Sequence, residues 1–217
     1  MRKWFYGLAL LMSAPLANAI VIIDDNTGGL YNDGLGDLAA IDGPGGFLLG
    51  PNVSEGDPSL IPIPDPGLVF PASFGADWLN GDLTGGSWSA SANIPDTWAV
   101  NAETAIIYEF TLDAISDLQI DLGVDNGLLL WLNGSYLFGA QASGGSALSE
   151  YDVDLVGVSA GLNRLQILRE DHGGATGFDI RVDATRSVTA VPEPGTLGLL
   201  GFSLVAFGFG ALRTRRR

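Results

Sequence analysis

Five stretches of this chain alternate apolar and polar residues with a period of two, and that limits the fold more than any other feature. In TAIIYEFTL, Ile106, Tyr108, Phe110 and Leu112 alternate with Ile107, Glu109 and Thr111. In LQIDLGV, Leu118, Ile120, Leu122 and Val124 alternate with Gln119, Asp121 and Gly123. YDVDLV sets Tyr151, Val153 and Leu155 against two aspartates, RLQILRE supplies Leu165 and Ile167, and GFDIRV supplies Phe178, Ile180 and Val182. Successive side chains of a strand point to opposite faces, so this pattern predicts half-buried antiparallel strands with acids on the wet face. IVII from Ile20 and SWSASA around Trp88 read as further strands, and the body shows no amphipathic helical period.

Gly, Asn and Asp punctuate the runs at spacings suited to a β-sandwich. One turn can be placed. Asn133-Gly134 separates LLLWL from SYLFG, and a two-residue Asn-Gly hairpin needs positive φ at both central residues. Leu128 to Leu132 is apolar on both faces, which predicts a central strand covered on both sides. Residues 43–71 hold seven of the eleven prolines. Proline removes a ladder donor, so this segment reads as a long irregular loop or polyproline-like crossing rather than sheet.

The two ends differ from the body. Arg2 and Lys3, an apolar run from Trp4 to about Met12, and Ala17-Asn18-Ala19 match a secretory signal peptide with cleavage after Ala19. Its apolar core is too short for a membrane span, which needs about 20 residues. Near the other end, residues 196–212 carry no charge, and at 1.5 Å per residue such a helix reaches roughly 25 Å. Arg213, Arg215, Arg216 and Arg217 follow, and a basic cluster beside a span stays on the cytoplasmic side. Both ends thus predict one topology, with the body outside the cytoplasm.

Six of the ten basic residues lie in these ends, leaving Arg164, Arg169, Arg181 and Arg186 in the body against 24 of the 25 acids. Such a surface repels nucleic acid and anionic lipid, which excludes nucleic-acid binding. The chain has no cysteine, so disulfides, thiol catalysis and thiolate metal sites are excluded, and its single histidine excludes a histidine-rich metal centre. The 168 residues from Ile20 to Ser187 suffice for one domain with its own core.

Two resemblances follow from these residues. Val191-Pro192-Glu193-Pro194, an apolar run and a terminal arginine cluster resemble the PEP-CTERM sorting signal of exopolysaccharide-producing Gram-negative bacteria. The resemblance implies recognition by an exosortase, a membrane cysteine transpeptidase that cleaves near the triplet. Prolines at 192 and 194 disfavour helix and leave extended backbone for such a protease. Within Ala105 to Ala184, DLGVDNGLLLWLNGSYLFG, VSAGLNRLQIL and GGATGFDIRVDA resemble the jelly-roll sandwich of galactose-binding-like and carbohydrate-binding modules. Those sandwiches often carry a structural Ca²⁺ between chain-terminal loops. The resemblance therefore implies a calcium site, for which Asp24, Asp25, Asp125, Asn126, Glu170 and Asp171 are the candidate oxygen donors.

Other constellations are weaker. His172 beside Glu170 and Asp171 has no Gly-x-Ser-x-Gly partner and reads as a solvated loop histidine. Carboxylate pairs abound, as in Asp24-Asp25 and Asp152/Asp154, and read chiefly as the wet face of the sheet rather than a glycosidase pair. Trp78, Trp88 and Trp98 lie near loops and are the candidate stacking platform for a sugar ring, whereas Trp131 reads as core.

The expected protein is all-β: an antiparallel, jelly-roll-like β-sandwich between an N-terminal signal helix and a C-terminal single transmembrane helix. Its parts are a signal peptide (1–19), the sandwich (20–187, with the proline-rich loop 43–71), a linker (188–195), the span (196–212) and a basic tail (213–217). The expected function is that of an exported, non-catalytic surface or matrix protein. An exosortase would sort it from the inner membrane, and exopolysaccharide is its candidate ligand. A secreted carbohydrate-active enzyme and a purely structural or adhesion protein remain open as alternatives.

Overall fold

The computed structural model describes residues 18–38, 61–62, 68–142, 145–171 and 174–187. The signal segment up to residue 17, most of the proline-rich segment, His172, and the linker, apolar run and basic tail from 188 onward lie outside the described residues. Among the described residues no helix is long and apolar enough to cross a membrane.

Among the described residues ten strands form in chain order: β1 (Ile20–Asp24), β2 (Gly29–Gly36), β3 (Ile61–Pro62), β4 (Ser89–Ser91), β5 (Glu103–Leu112), β6 (Ser116–Leu132), β7 (Ser135–Ala142), β8 (Tyr151–Val158), β9 (Gly161–Glu170) and β10 (Gly177–Arg186). All strand pairs are antiparallel. One sheet runs β1-β10-β6-β8 and the other β4-β2-β5-β9-β6-β7-β3. Strand β6 belongs to both. Its first half pairs with β10 and β8, and its second half with β7 and β9.

The continuity of β6 differs from the two separate strands expected of LQIDLGV and LLLWL. Asp125 and Asn126, expected on an irregular loop, instead sit in its ladder, with Asp125 opposite Gly177 and Asn126 opposite Ala142. Both halves find partners, so no turn is needed between them. The transfer between sheets falls between Asp125, still paired with β10, and Asn126, paired with β7. Just before it, a Cβ on Gly123 would come within 2.4 Å of the Ala147 carbonyl oxygen, so only glycine admits that backbone. The proline-rich segment also contributes more than expected. Ile61 and Pro62 pair with Gln141 and Ala140 as a short edge strand, where a missing proline N–H costs least.

The main core lies between the sheets. From one side come Ile106, Tyr108, Phe110, Leu128, Leu130, Leu165 and Ile167, and from the other Leu118, Ile120, Leu122, Phe178, Ile180 and Val182. A second apolar cluster covers the outer face of the larger sheet. There Ala105, Ile107, Leu129, Trp131 and Leu168 pack under Leu38, Phe74 and Trp78. The last two belong to residues 68–88, a lid with 3-10 turns at Ala72–Phe74 and Trp78–Asn80. Leu128 to Leu132 is therefore covered on both sides as its composition predicts, Leu128 and Leu130 inward and Leu129 and Trp131 under the lid. The same lid makes β5 buried on both faces from Glu103 to Tyr108, where alternation alone predicted a half-buried strand. Asn133 and Gly134 adopt φ of 51° and 77°, the left-handed pair the hairpin requires.

Candidate functional site

The candidate calcium donors separate into different settings. The Asp24 carboxylate accepts hydrogen bonds from the Asn26 amide at 3.0 Å and the Thr27 hydroxyl at 3.1 Å, closing the turn after β1. Asp25 accepts from the Ile180 amide at 2.8 Å, tying that turn to β10. Asp171 accepts from the Asn101 amide at 2.7 Å. Glu170 faces Gly127 across the larger sheet, while Asp125 faces Gly177 in the smaller one. Among the described residues no three His, Cys, Asp or Glu side chains gather as metal ligands.

The structure buries two of these donors together with an acid the sequence did not single out, Glu103. Glu103, Glu170 and Asp171 are all fully buried, at the end where β5 begins and β9 finishes. Glu103 lies opposite Gly36 and accepts the Leu38 amide at 2.6 Å, fixing the chain where the long segment from residue 39 departs. Burial, with the nearby charges of Asp37 and Asp171, pushes its carboxyl up to about 7 from the ordinary 4.5, against the lowering effect of the Leu38 bond. Its position in the strand gives the signal. Glu103 is in line with Ala105 and Ile107, on a face that only the tertiary fold covers.

The raised value makes a pH prediction. A carboxyl that holds its proton more tightly when folded stabilises the fold fully below about pH 4.5, and that stability is lost as pH rises through about 7. The shift corresponds to at most about 3 kcal/mol. Glu150 and Asp179, also raised chiefly by burial, act in the same direction. The melting temperature is therefore expected to fall between pH 5 and 8, and Glu103→Gln to flatten much of that slope. Thermal unfolding followed across this range checks it; an identical slope in the variant refutes the assignment.

The three tryptophans proposed as a sugar platform are engaged in packing. Trp78 is 1% exposed and presents no face to solvent. Its ring stacks on Trp88 at 5.6 Å and 27°, and meets Phe70, Phe74 and Trp131 at 5.1 to 5.6 Å. Trp88 is half-buried and donates from Nε1 to the Phe74 carbonyl at 2.7 Å. Trp98 donates to the Ala102 carbonyl at 2.7 Å and lies with its ring 4.2 Å from the Arg169 guanidinium. Trp131 is core, as expected.

Arg169 is the residue sequence reasoning missed most clearly. It is fully buried, yet among the described residues no carboxylate pairs with it. Its Nε donates to Thr104 Oγ1 at 3.0 Å, Nη1 to the Pro95 carbonyl at 2.8 Å and Nη2 to the Tyr31 hydroxyl at 3.4 Å. The rings of Trp98, Phe178 and Tyr31 surround it at 4.2, 4.8 and 5.5 Å from their centroids. Burial lowers its pKa to about 10, which leaves it charged at neutral pH. Periodicity carried the signal, because Arg169 follows Leu165 and Ile167 on the core-facing side of β9.

On the opposite face of β9, Gln166 joins lid to hairpin. Its Nε2 donates to the Leu79 carbonyl at 2.7 Å, and its Oε1 accepts the Gly134 amide at 2.8 Å. Asn133 donates to Asn163 Oδ1 at 2.9 Å and accepts the Arg164 amide at 2.8 Å. These polar groups satisfy one another within the fold, so Asn133 serves the turn and its neighbouring strand.

Residues 190–217 match the PEP-CTERM protein-sorting motif. This motif implies exosortase-dependent export, with recognition by an exosortase-type system and processing at the membrane. No curated protein matches the chain. Among solved structures, a beta-glucuronidase from an uncultured Clostridium sp. is similar over 81% of this chain and 31% of its own length, at 10% identity and a TM-score of 0.45. A beta-glucuronidase from Ruminococcus gnavus is similar over 81% and 30%, at 9% identity and a TM-score of 0.43. The PA14 domain of the antifreeze protein MpAFP is similar over 85% and 90%, at 12% identity and a TM-score of 0.33. The chain thus spans about a third of the length of the two glucuronidases.

Proposed function

We propose that this chain is the precursor of a non-catalytic surface or matrix protein. It is exported behind a signal peptide, held in the inner membrane by residues 196–212, and cut near Pro192-Glu193-Pro194 by an exosortase. The observation that carries this reading is the sorting motif at residues 190–217. The arginines from Arg213 to Arg217 suit the cytoplasmic side of such a span, and proline at 192 and 194 disfavours helix at the cleavage region. The released body is a β-sandwich with 24 acids against four arginines, suited to a hydrated exopolysaccharide matrix.

Mass spectrometry of the mature protein tests this reading. A new C-terminus near residues 192–194 is expected in a strain with an active exosortase, and Arg217 retained in a strain lacking it. Retention of Arg217 in the active strain overturns it. A purely structural role is the second reading, favoured because Trp78, Trp88 and Trp98 all spend their rings on packing. A glycan array probed with the released body, with and without calcium, separates the two: binding supports a polysaccharide ligand, and no binding supports the structural role.

A further inference from the structure

Seven large apolar side chains stand exposed among the described residues, and five of them, Ile20, Val21, Ile115, Val156 and Leu162, collect at one end of the sandwich. The register places them together. Ile20 and Val21 open β1 opposite Ala184 and Asp183, Ile115 lies in the β5–β6 turn, and Leu162 faces Thr111. Val156 is two residues before Val158, which pairs with Ser116. Isolated exposed apolar residues are ordinary, whereas a grouped set marks a contact surface.

The chain also leaves the sandwich at this end. Ser187 donates its amide to the Ile115 carbonyl at 2.9 Å and its hydroxyl to Asp117 at 2.7 Å. The same Asp117 oxygen accepts the Gly157 amide at 2.9 Å, so the exit is pinned between two turns. Eight residues separate Ser187 from Thr196, where the uncharged run begins, a reach of at most about 30 Å. A shallow hollow lined by Ile20, Leu112, Asp113, Ala184 and Arg186 opens on the same end. Asp113 and Arg186 bring one charge of each sign to it, which matches the ammonium and phosphate of a zwitterionic headgroup.

We propose that this end of the sandwich docks on the zwitterionic lipid surface of the membrane that holds the precursor. The side chains of Ile20, Ile115, Val156 and Leu162 enter the headgroup region, and the sandwich stands with both its first and last strands toward the bilayer. The short tether raises the local concentration of the surface, so a few weakly apolar contacts suffice to orient the body. This inference rests on the membrane-anchored reading of residues 196–212.

The chain has no cysteine, so single labels are unambiguous. Full-length protein is reconstituted in phosphatidylcholine–phosphatidylethanolamine vesicles with an environment-sensitive fluorophore at Ile115→Cys, Leu162→Cys, Ala175→Cys or Ala206→Cys. Blue-shifted emission, quenching by nitroxide lipids and loss of iodide quenching are expected at 115 and 162, with 175 remaining open to iodide. Phosphatidylglycerol vesicles are expected to diminish the shift at 115 and 162, because the acidic body is repelled. If 115 and 162 are as open to iodide as 175 while 206 is quenched from the lipid, the anchor stands and the docking is wrong. Equal shielding at 115, 162 and 175 means unoriented adsorption and also overturns it. If 206 itself is open to iodide, the anchored reading fails and the docking falls with it.

Discussion

Replacing Arg169 with alanine is expected to lower the unfolding free energy by about 3 to 5 kcal/mol. The side chain fills a cage of Tyr31, Trp98 and Phe178, and truncation empties it. It also leaves the Pro95 carbonyl and the Thr104 hydroxyl without the donors that serve them, each at a cost of about 1 to 3 kcal/mol if they stay dry. The loss spreads, because Pro95 and Trp98 belong to the connection between β4 and β5, which this guanidinium, with the Asn101–Asp171 bond, fastens to the end of β9. A planar fork makes these three bonds while its faces meet aromatic rings, which an ammonium cannot reproduce. Arg169→Lys is therefore expected to be destabilising despite keeping the charge. Arg169→Met restores most of the volume and removes a desolvated charge, so it is expected to cost less than alanine. Urea unfolding followed by tryptophan fluorescence orders the three variants. An alanine variant within about 1 kcal/mol of the parent would show that the cage relaxes freely.

Much of this arrangement was written locally in the chain, and the remainder was not. Asn133-Gly134 specified its turn because the backbone there needs positive φ at two successive residues, a demand few dipeptides meet. Leu128 to Leu132 announced burial on both faces because no polar residue interrupts it. The lid over residues 68–88 carries no comparable period. It is held by distant partners: Asn32 donates to the Ser73 carbonyl 41 residues away, and Gln166 to the Leu79 carbonyl 87 residues away. Without the lid, Glu103 reads as an exposed strand start and Trp78 as a loop-side aromatic. With it, one becomes a buried carboxyl near neutrality and the other the centre of an aromatic cluster. Asp125 and Asn126 read as loop residues for a related reason, since Asp125-Asn126-Gly127 has turn composition but each residue finds a strand partner. The sorting motif was legible because its recognition depends on order and composition within 28 contiguous residues.

Trp78→Ala is expected to cost about 3 to 5 kcal/mol and to release the lid as a unit. Among the described residues Trp78 is the largest fully buried side chain, and it touches four other aromatic rings, three of them, Phe70, Phe74 and Trp88, on the lid with it. Below it lies Trp131 of β6, so removing the indole opens the seam between lid and sheet rather than a closed pocket. The outer faces of Leu129 and Leu168 then meet water, which adds lost apolar burial to the cavity term. Trp78→Phe provides the control. Among the described residues the Trp78 Nε1–H has no hydrogen-bond partner, so phenylalanine removes a buried unsatisfied donor along with some volume. The two effects oppose, and Trp78→Phe is expected to cost no more than about 1.5 kcal/mol. Limited proteolysis distinguishes lid release from global weakening. Under conditions where both proteins remain folded, cleavage within residues 68–88 is expected to rise sharply in Trp78→Ala and little in Trp78→Phe. Uniform sensitisation across the chain would mean that the lid and the sandwich unfold together, and that the second cluster is an extension of the main core rather than a separable cover.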